Sequence, residues 1–308
     1  MMSKEGNVMS TLSLLFKTMR PRQWTKNLVV FAPLIFSEKQ LLWKPMAWLC
    51  SIGGFILFSC ISGAVYIMND LVDLEHDRIH PEKRNRPLAS GTLSVSVARF
   101  ALLFLFAFSM GASLFMPPLF AGSAVAYFAA NIAYSFKLKN VVILDVLTIA
   151  IGFVLRAQAG VGAIQMIDPA VYISHWLILC TLMLALFLGM AKRRQELQQL
   201  REGAASHRKI LSEYSAHFLD EMTGIVSSIT IISYALYTVS AETILKYGTD
   251  KLVYTVPFVL YGIFRYMYLI HMRNQGDNPS EILLSDRPLQ ITILLWLVSV
   301  VAIIHLSG

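Results

Sequence analysis

Apolar stretches about as long as a membrane is thick recur from one end of this 308-residue chain to the other. Charged residues make up only 15% of it, whereas a soluble globular domain has about 25%. A spanning helix needs about 20 mainly apolar residues, and nine segments approach that length. They are 24–37, 46–69, 94–115, 119–136, 141–161, 172–190, 223–240, 252–272 and 289–307. The pattern predicts an all-α integral membrane protein, folded as a single polytopic domain over residues 1–308.

The polar parts of the chain are a segment at 1–23 and loops at about 78–93, 191–222 and 273–288. Lysine and arginine concentrate on the cytoplasmic side of membrane proteins. With the N-terminus and every second connection on one side, that side holds 19 of these residues and the opposite connections hold four. The asymmetry predicts a multi-pass protein of the cell membrane, with its N-terminus and its long polar loops in the cytoplasm.

The second apolar segment ends in four polar side chains spaced to share a helix face. At 100° per residue, Asn69, Asp73 and Asp77 fall within 80° of one another, and Asp70 falls at 100°. Clustered carboxylates at a membrane edge repel one another and are costly to bury. Oxygen ligands of this kind suit Mg²⁺, which is usually completed by substrate phosphates. We therefore predict a Mg²⁺ site at Asn69, Asp73 and Asp77, with Asp70, Asp73 and Asp77 as candidate catalytic residues.

Basic residues follow the acids at once. Prolines 81 and 87 turn the chain, so Lys83 and Arg86 can fold back and neutralise the phosphates of a substrate. The alternative interpretation is a solvated helix end whose acids pair with Lys83, Arg84 and Arg86, with no metal.

Single polar residues inside apolar segments add further candidates. Arg156 lies within GFVLRAQAG, and an arginine at membrane depth is expensive enough to suggest a function. We expect it to face a cavity and contact phosphate. An ion pair with Asp145 is the rival interpretation, but eleven residues separate them by about 16 Å along a helix. Lys26 begins the first segment, where a cation can meet an anion at the membrane surface.

Six stretches together resemble the UbiA-type intramembrane prenyltransferase superfamily, and most closely its decaprenyl-phosphate phosphoribosyltransferase (5-phosphoribosyl-1-pyrophosphate synthase) branch. The likeness runs from about residue 14 to the C-terminus. The stretches are RPRQWTKN at 20–27, NDLVDLEHDRIHPEKRNRPLASG at 69–91, YSFKLKNVVILDV at 134–146, GFVLRAQAG at 152–160, KRRQEL at 192–197 and SEILLSDRPL at 280–289.

The resemblance implies nine transmembrane helices around a central cavity that opens to the cytoplasm and sideways to lipid. It implies Mg²⁺-dependent transfer of 5-phosphoribose from phosphoribosyl pyrophosphate (PRPP) to a polyprenyl phosphate, a reaction used in bacterial cell-wall biosynthesis. It also implies that the neighbourhood of Tyr134 and Lys139 binds the donor. No nucleic-acid partner is expected, and the oligomeric state is left open, a homo-oligomer included.

One departure separates this chain from the prenyl-transferring members that it resembles. Those members have a second aspartate-rich motif between segments six and seven, where this chain has Lys192, Arg193 and Arg194. Bases in place of acids suit a site that must neutralise more phosphate, so Lys192 and Arg193 are candidate substrate-binding residues. An anchor for positive charge at the membrane surface is the alternative for these bases.

Two other functions stay open from the sequence. An aromatic or lipid prenyltransferase would use a prenyl diphosphate donor, against which the basic stretch argues. A transporter is the second, but the chain shows no internal repeat of the kind transporters often carry.

Overall fold

The structure, a computed structural model, describes residues 10–37, 41–81, 83–201, 209–273, 282–283 and 285–306. Helices dominate these ranges, which contain no strand. The α-helices are α1 (Thr11–Thr18), α2 (Ala32–Ile35), α3 (Pro45–Val72), α4 (Leu74–Ile79), α5 (Val95–Ser113), α6 (Pro118–Phe136), α7 (Leu144–Ile164), α8 (His175–Arg201), α9 (Ala216–Val239), α10 (Ala241–Tyr247), α11 (Val256–Arg273) and α12 (Arg287–Val301). The 3₁₀ helices are Pro21–Phe31, Lys83–Asn85, Leu138–Asn140, Lys209–Glu213 and Lys251–Thr255, and a π-helix, Ala302–Leu306, continues α12.

Eight helices within the described residues are long and apolar enough to cross a membrane, which confirms the all-α multi-pass fold. They are α3, α5 to α9, α11 with the 3₁₀ turn before it, and α12 with the first residues of its π-helical extension. The predicted count of nine is not confirmed, because segment 24–37 is not among them. Residues Pro21–Phe31 form a 3₁₀ helix that Ala32–Ile35 extends by one α-helical turn. At about 2.0 Å per residue, eleven 3₁₀ residues cover about 22 Å.

One predicted boundary also differs from the structure. Helix α8 runs on to Arg201, so the first part of the predicted loop 191–222 is helical and carries the basic stretch on a rigid element. Pro117 and Pro118 separate two spans, since α5 ends at Ser113 and α6 begins at Pro118. Residues 1–9, 202–208 and 274–281, within the predicted polar segments, lie outside the described residues.

Helix α7 lies at the centre of the bundle and packs against α3, α6, α8 and the 3₁₀ helix Pro21–Phe31. Two glycines permit this packing. A Cβ at Gly160 would lie 2.2 Å from the carbonyl oxygen of Val30, and one at Gly162 would lie 2.5 Å from the backbone nitrogen of Phe120. Because real Cβ atoms do not approach other atoms so closely, only glycine lets the 3₁₀ helix and α6 rest against α7.

Antiparallel packing brings particular helix ends together. Helices α3 and α6 end on the face of the bundle where α7 and the 3₁₀ helix Pro21–Phe31 begin. Asp70, Lys139, Asp145 and Arg193 belong to this face, which we call the charged end. The other face, where α3 and α8 begin, is the opposite end.

Candidate active site

The acid cluster lies where α3 passes into α4. The two helices are separate, with Asp73 as a single turn residue between them, so the predicted face on one continuous helix is wrong in that detail. The four-residue spacing nevertheless holds, because the Asp73 N–H donates to the Asn69 carbonyl at 2.9 Å and the Asp77 N–H donates to the Asp73 carbonyl at 2.8 Å. These backbone bonds keep the polar residues on one side of the chain.

Two arginines neutralise the buried part of this cluster. Asp70 and Asp77 are 2% and 3% exposed. The Nη1 atom of Arg86 donates to both, to Asp70 Oδ1 at 3.1 Å and to Asp77 Oδ2 at 2.5 Å. Arg20 donates a second ionic bond to Asp70 Oδ1. Arg86 therefore reaches back from the loop after α4 and pairs with acids, as the alternative interpretation of the cluster supposed.

The more exposed members of the cluster contact the turn between α6 and α7. Lys139 Nζ donates to Asp73 Oδ1 at 2.8 Å, and Ser135 donates to Asn69 Oδ1. Within the described residues, no three histidine, cysteine or acidic side chains converge closely enough to hold a metal by themselves. That arrangement fits Mg²⁺, which proteins usually bind with one or two carboxylates and substrate phosphates.

A second charged cluster joins α7 to α8. The Asp145 carboxylate is fully buried and accepts from Arg193 Nε at 2.6 Å and from the Tyr214 hydroxyl at 2.7 Å. Arg193 Nη1 donates to Glu196 at 2.6 Å. Its Nη2 atom is buried without a hydrogen-bond partner among the described residues. A buried charged donor left unsatisfied costs free energy, so this nitrogen has the chemistry to bind an incoming anion.

Burial also affects Tyr214, which lies outside the spans. Its hydroxyl accepts from the Ile143 N–H at 2.7 Å while donating to Asp145. Burial and the bond to Asp145 raise the pKa of Tyr214 to about 12, so the phenol stays protonated and holds the carboxylate in place.

Backbone strain is found beside both clusters. Arg20 and Ile143 have φ values of 54° and 70° and are the non-glycine residues of the described chain with positive φ. Side chains disfavour this region, and a β-branched residue there is a true outlier. Each residue directly precedes a helix that carries site residues. Strain of this kind persists only where the surrounding structure enforces it.

Arg156 is buried at 5% exposure and has neutral partners. Its Nε donates to Asn27 Oδ1 at 2.8 Å, its Nη2 donates to the Tyr127 hydroxyl at 2.7 Å, and its guanidinium lies 4.7 Å from the Tyr127 ring centroid. The rival pairing with Asp145 is absent from the described ion pairs. A buried guanidinium without a carboxylate leaves positive charge in the site that an anion can balance.

The pKa of Lys26 reflects this excess of positive charge. It lies on the 3₁₀ helix, outside the eight spans. Burial and, after it, the charges of Lys192, Arg156 and Arg20 lower the pKa of Lys26 to about 7. Four cations therefore surround one region of the charged end, where they would attract an anion strongly.

The cations open onto a cavity of about 740 Å³ between the 3₁₀ helix, α7, α8, α9, α11 and α12. Lys26, Lys192 and Arg193 line it at the charged end. Further in, the walls are mainly apolar, with side chains such as Phe153 and Leu188. Charge at one end of a long apolar cavity suits a ligand with an anionic head and an apolar tail.

The remaining predicted residues lie around these clusters. The Lys83 N–H donates to the His80 ring at 3.2 Å. Tyr134 lies in the last turn of α6, next to the α6–α7 turn that carries Lys139. The structure thus brings Asn69, Asp70, Asp73 and Asp77 together with Arg86 and Lys139, and groups Lys26, Lys192 and Arg193 around the cavity.

Sequence reasoning assigned no role to four residues that contribute to the site: Arg20, Asn27, Tyr127 and Tyr214. Arg20 and Asn27 stand at the two ends of the stretch RPRQWTKN, so that stretch held a signal. Tyr127 and Tyr214 stand in unremarkable sequence, and only the fold shows that their hydroxyls reach charged groups.

Comparison with known proteins adds independent findings. The model of the UbiA prenyltransferase family matches residues 28–285. The decaprenyl-phosphate phosphoribosyltransferase of Mycolicibacterium smegmatis is 32% identical over 98% of this chain and 96% of its own length. That of Corynebacterium glutamicum is 30% identical over 95% and 87%. The structure of a UbiA homolog from Archaeoglobus fulgidus bound to GPP and Mg²⁺ aligns with a TM-score of 0.70 at 20% identity, over 95% of this chain and 99% of that one.

Proposed function

This chain belongs to the UbiA prenyltransferase family, and from that premise we propose that it transfers 5-phosphoribose from PRPP to a polyprenyl phosphate, with release of pyrophosphate. The bacterial relatives named for phosphoribosyl transfer to decaprenyl phosphate support this choice within the family.

The observation that carries the proposal is the unpaired Nη2 of Arg193 beside the cavity. A prenyl diphosphate donor brings one diphosphate group, whereas PRPP and a lipid phosphate bring three phosphate-bearing groups. Arg193, Lys192 and Lys26 put three cationic side chains at the cavity mouth, and the acids lie across the charged end on α3 and α4. That distribution suits several phosphates better than one.

In this proposal the acceptor phosphate binds at Lys26 and Lys192, because they line the cavity into which its apolar tail must extend. PRPP binds between that mouth and the acid cluster, in contact with Lys139, Tyr134, Arg86 and Lys83. Arg193 and Arg156 add positive charge beneath both substrates.

The acid cluster would hold Mg²⁺ through Asp77 and Asp73 with Asn69, and Asp70 lies next to them. Asp70 and Asp77 already converge on one nitrogen of Arg86, so a cation fits between their carboxylates. Bound Mg²⁺ would supply charge neutralisation to the leaving diphosphate. The Arg86 side chain is 29% exposed on a loop and can exchange its carboxylate partners for phosphate oxygens.

The reaction is a displacement at the anomeric carbon of ribose. The bond from that carbon to the diphosphate oxygen breaks, and an oxygen of the lipid phosphate forms the new bond from the other face. Positive charge develops on the ribose ring, as in other glycosyl transfers. The acceptor is already an anion near neutral pH, because the second pKa of a phosphate monoester is about 6, so no strong general base is needed. The candidate catalytic carboxylates Asp70, Asp73 and Asp77 stabilise charge by their position.

We place the charged end in the cytoplasm and the protein in the cell membrane. The bias of lysine and arginine supports this orientation, and PRPP is a water-soluble metabolite that must reach the site from an aqueous side.

Purified protein incubated with radiolabelled PRPP, Mg²⁺ and a panel of polyprenyl phosphates tests the proposal. We expect labelled lipid and released pyrophosphate. Parallel reactions supply prenyl diphosphates with aromatic or lipid acceptors. Prenyl transfer in those reactions, with no label passing from PRPP to any lipid phosphate, would establish the prenyltransferase alternative instead.

A further inference from the structure

The cavity extends from the charged end of the bundle to its opposite end. Along α8 its lining extends from Lys192 at the charged end to Trp176 at the opposite end. Sixteen residues of α-helix separate these two positions, which corresponds to about 24 Å. The cavity therefore reaches through most of the hydrocarbon thickness of a bilayer, about 30 Å.

Polar side chains line the opposite end of the cavity. Lys246 Nζ and the Tyr247 hydroxyl both donate to the carbonyl of Phe36, at 2.9 and 2.7 Å. The Tyr172 hydroxyl donates to Glu242 at 3.2 Å. All five residues line the cavity. Their hydrogen bonds tie α10 to the chain just after α2, so this end is fixed by contacts between separate elements.

Aromatic rings surround the cavity just inside that polar end. The ring of Phe36 lies 6.2 Å from that of Tyr237 and 6.1 Å from that of Trp296. The Trp296 indole donates to the Tyr234 hydroxyl at 2.8 Å. These rings offer an apolar tail its last favourable contacts, because beyond them a tail would bury bonded polar groups, including a charged carboxylate and ammonium.

We propose that the end formed by Tyr172, Glu242 and Lys246 blocks further extension of the acceptor's polyprenyl tail. This end thereby sets how many prenyl units of the tail the protein contacts. The inference rests on the proposed function. With the phosphate held at Lys26 and Lys192, each prenyl unit adds apolar contact until the tail reaches the aromatic rings. Units beyond this length leave between helices into lipid and add no binding free energy.

Gly262 allows a direct test, because it lines the cavity partway along α11. A Cβ there would meet only the Leu289 side chain, at an ordinary 3.9 Å, so Gly262→Leu fills the cavity without a backbone clash. Leucine is also a better helix former than glycine. Gly53→Leu is the matched control, since Gly53 lies exposed on α3 with nothing within 4 Å of its Cβ position.

The measurement is kcat/KM with PRPP for linear prenyl phosphates from geranyl to decaprenyl. In the parent protein we expect kcat/KM to rise with chain length and then level off. In Gly262→Leu the plateau should begin at a shorter lipid, and kcat/KM for long lipids should fall by about tenfold or more relative to short ones. Gly53→Leu should follow the parent curve.

Trp296→Ala provides the opposite change and a second variant if the first folds poorly. Opening the aromatic end should move the plateau to a longer lipid. Parallel curves for the parent and both variants, or an equal loss at every length, would overturn the length stop while phosphoribosyl transfer itself remained. Absence of label transfer to every lipid in the parent protein would instead overturn the proposed function.

Discussion

The two charged clusters of this protein contain similar groups in opposite arrangements. On α3 and α4, buried carboxylates meet partly exposed arginines, with the Arg20 and Arg86 side chains 30% and 29% exposed. Between α7 and α8, both partners are buried, with the Arg193 and Asp145 side chains 2% and 0% exposed. A ligand can displace the first arginines into solvent, whereas the second pair is locked between helices.

This difference suggests a division of work. The cluster on α3 and α4, which we call the exchangeable cluster, can release its carboxylates to a metal and its arginines to phosphate. The cluster between α7 and α8, the locked cluster, keeps one guanidinium in a fixed orientation, and its Nη2 nitrogen has no hydrogen-bond partner among the described residues. A rigid cation is preorganised for an anion and needs no rearrangement at the moment of reaction.

The strongest test of this contrast is Arg193→Met. Removing one partner of a buried ion pair costs about 3–5 kcal/mol of stability, and loss of a preorganised donor should lower phosphoribosyl transfer by at least about 100-fold. Adding Asp145→Leu removes the stranded carboxylate and should restore most of the unfolding free energy, measured in detergent, but not the activity. Recovery of activity in the double variant would mean that Arg193 serves only the fold.

In the exchangeable cluster, Asp77→Asn should leave stability nearly unchanged and reduce activity by at least about 100-fold, the upper effect of groups that merely support metal ligands. The Mg²⁺ concentration for half-maximal rate should rise. Glu75→Gln, on the same helix but with its side chain 80% exposed, is the control and should behave as the parent. Equal Mg²⁺ titrations for Asp77→Asn and the parent would contradict a metal role.

The cavity mouth should show a pH dependence that comes from Lys26. Since the pKa of Lys26 is lowered to about 7, its ammonium is mostly present below pH 7 and mostly lost above it. Affinity for a lipid phosphate should therefore fall by about tenfold from pH 6 to pH 8, the value of one charge-assisted hydrogen bond. Lys26→Arg stays charged and should flatten the profile of KM for the lipid; an unchanged profile would refute this assignment.

The smallest effect on stability is expected for the partly exposed pair of Lys139 and Asp73. The Lys139 and Asp73 side chains are 25% and 38% exposed, and such pairs contribute about 1 kcal/mol or less. Lys139→Met should change the unfolding free energy by no more than that and should raise the KM for PRPP more than the KM for lipid. A larger rise in the lipid KM would place Lys139 with the acceptor.

The sequence predicted these clusters unequally, for a physical reason. Hydropathy and the four-residue spacing depend on neighbours along the chain, so the spans and the acid group could be anticipated. The partners of Asp145, in contrast, lie 48 and 69 residues away along the chain. Nothing local in the sequence specifies such contacts.

The first segment shows a further limit of local patterns. Its composition suggests a short span, but in the structure most of it is a 3₁₀ helix that packs closely against α7. The axial spacing argument did hold for Arg156 and Asp145, which take different partners in the structure.

The contact between Gly160 and the Val30 carbonyl has an evolutionary consequence. Any mutation at codon 160 that adds a side chain would push the neighbouring segment outward, and Lys26, one helical turn before Val30, would move with it. Homologues that keep the activity should therefore keep glycine at position 160, whereas lipid-facing positions vary. Gly160 would then be conserved because the reaction depends on the position of Lys26, although Gly160 itself contacts no substrate.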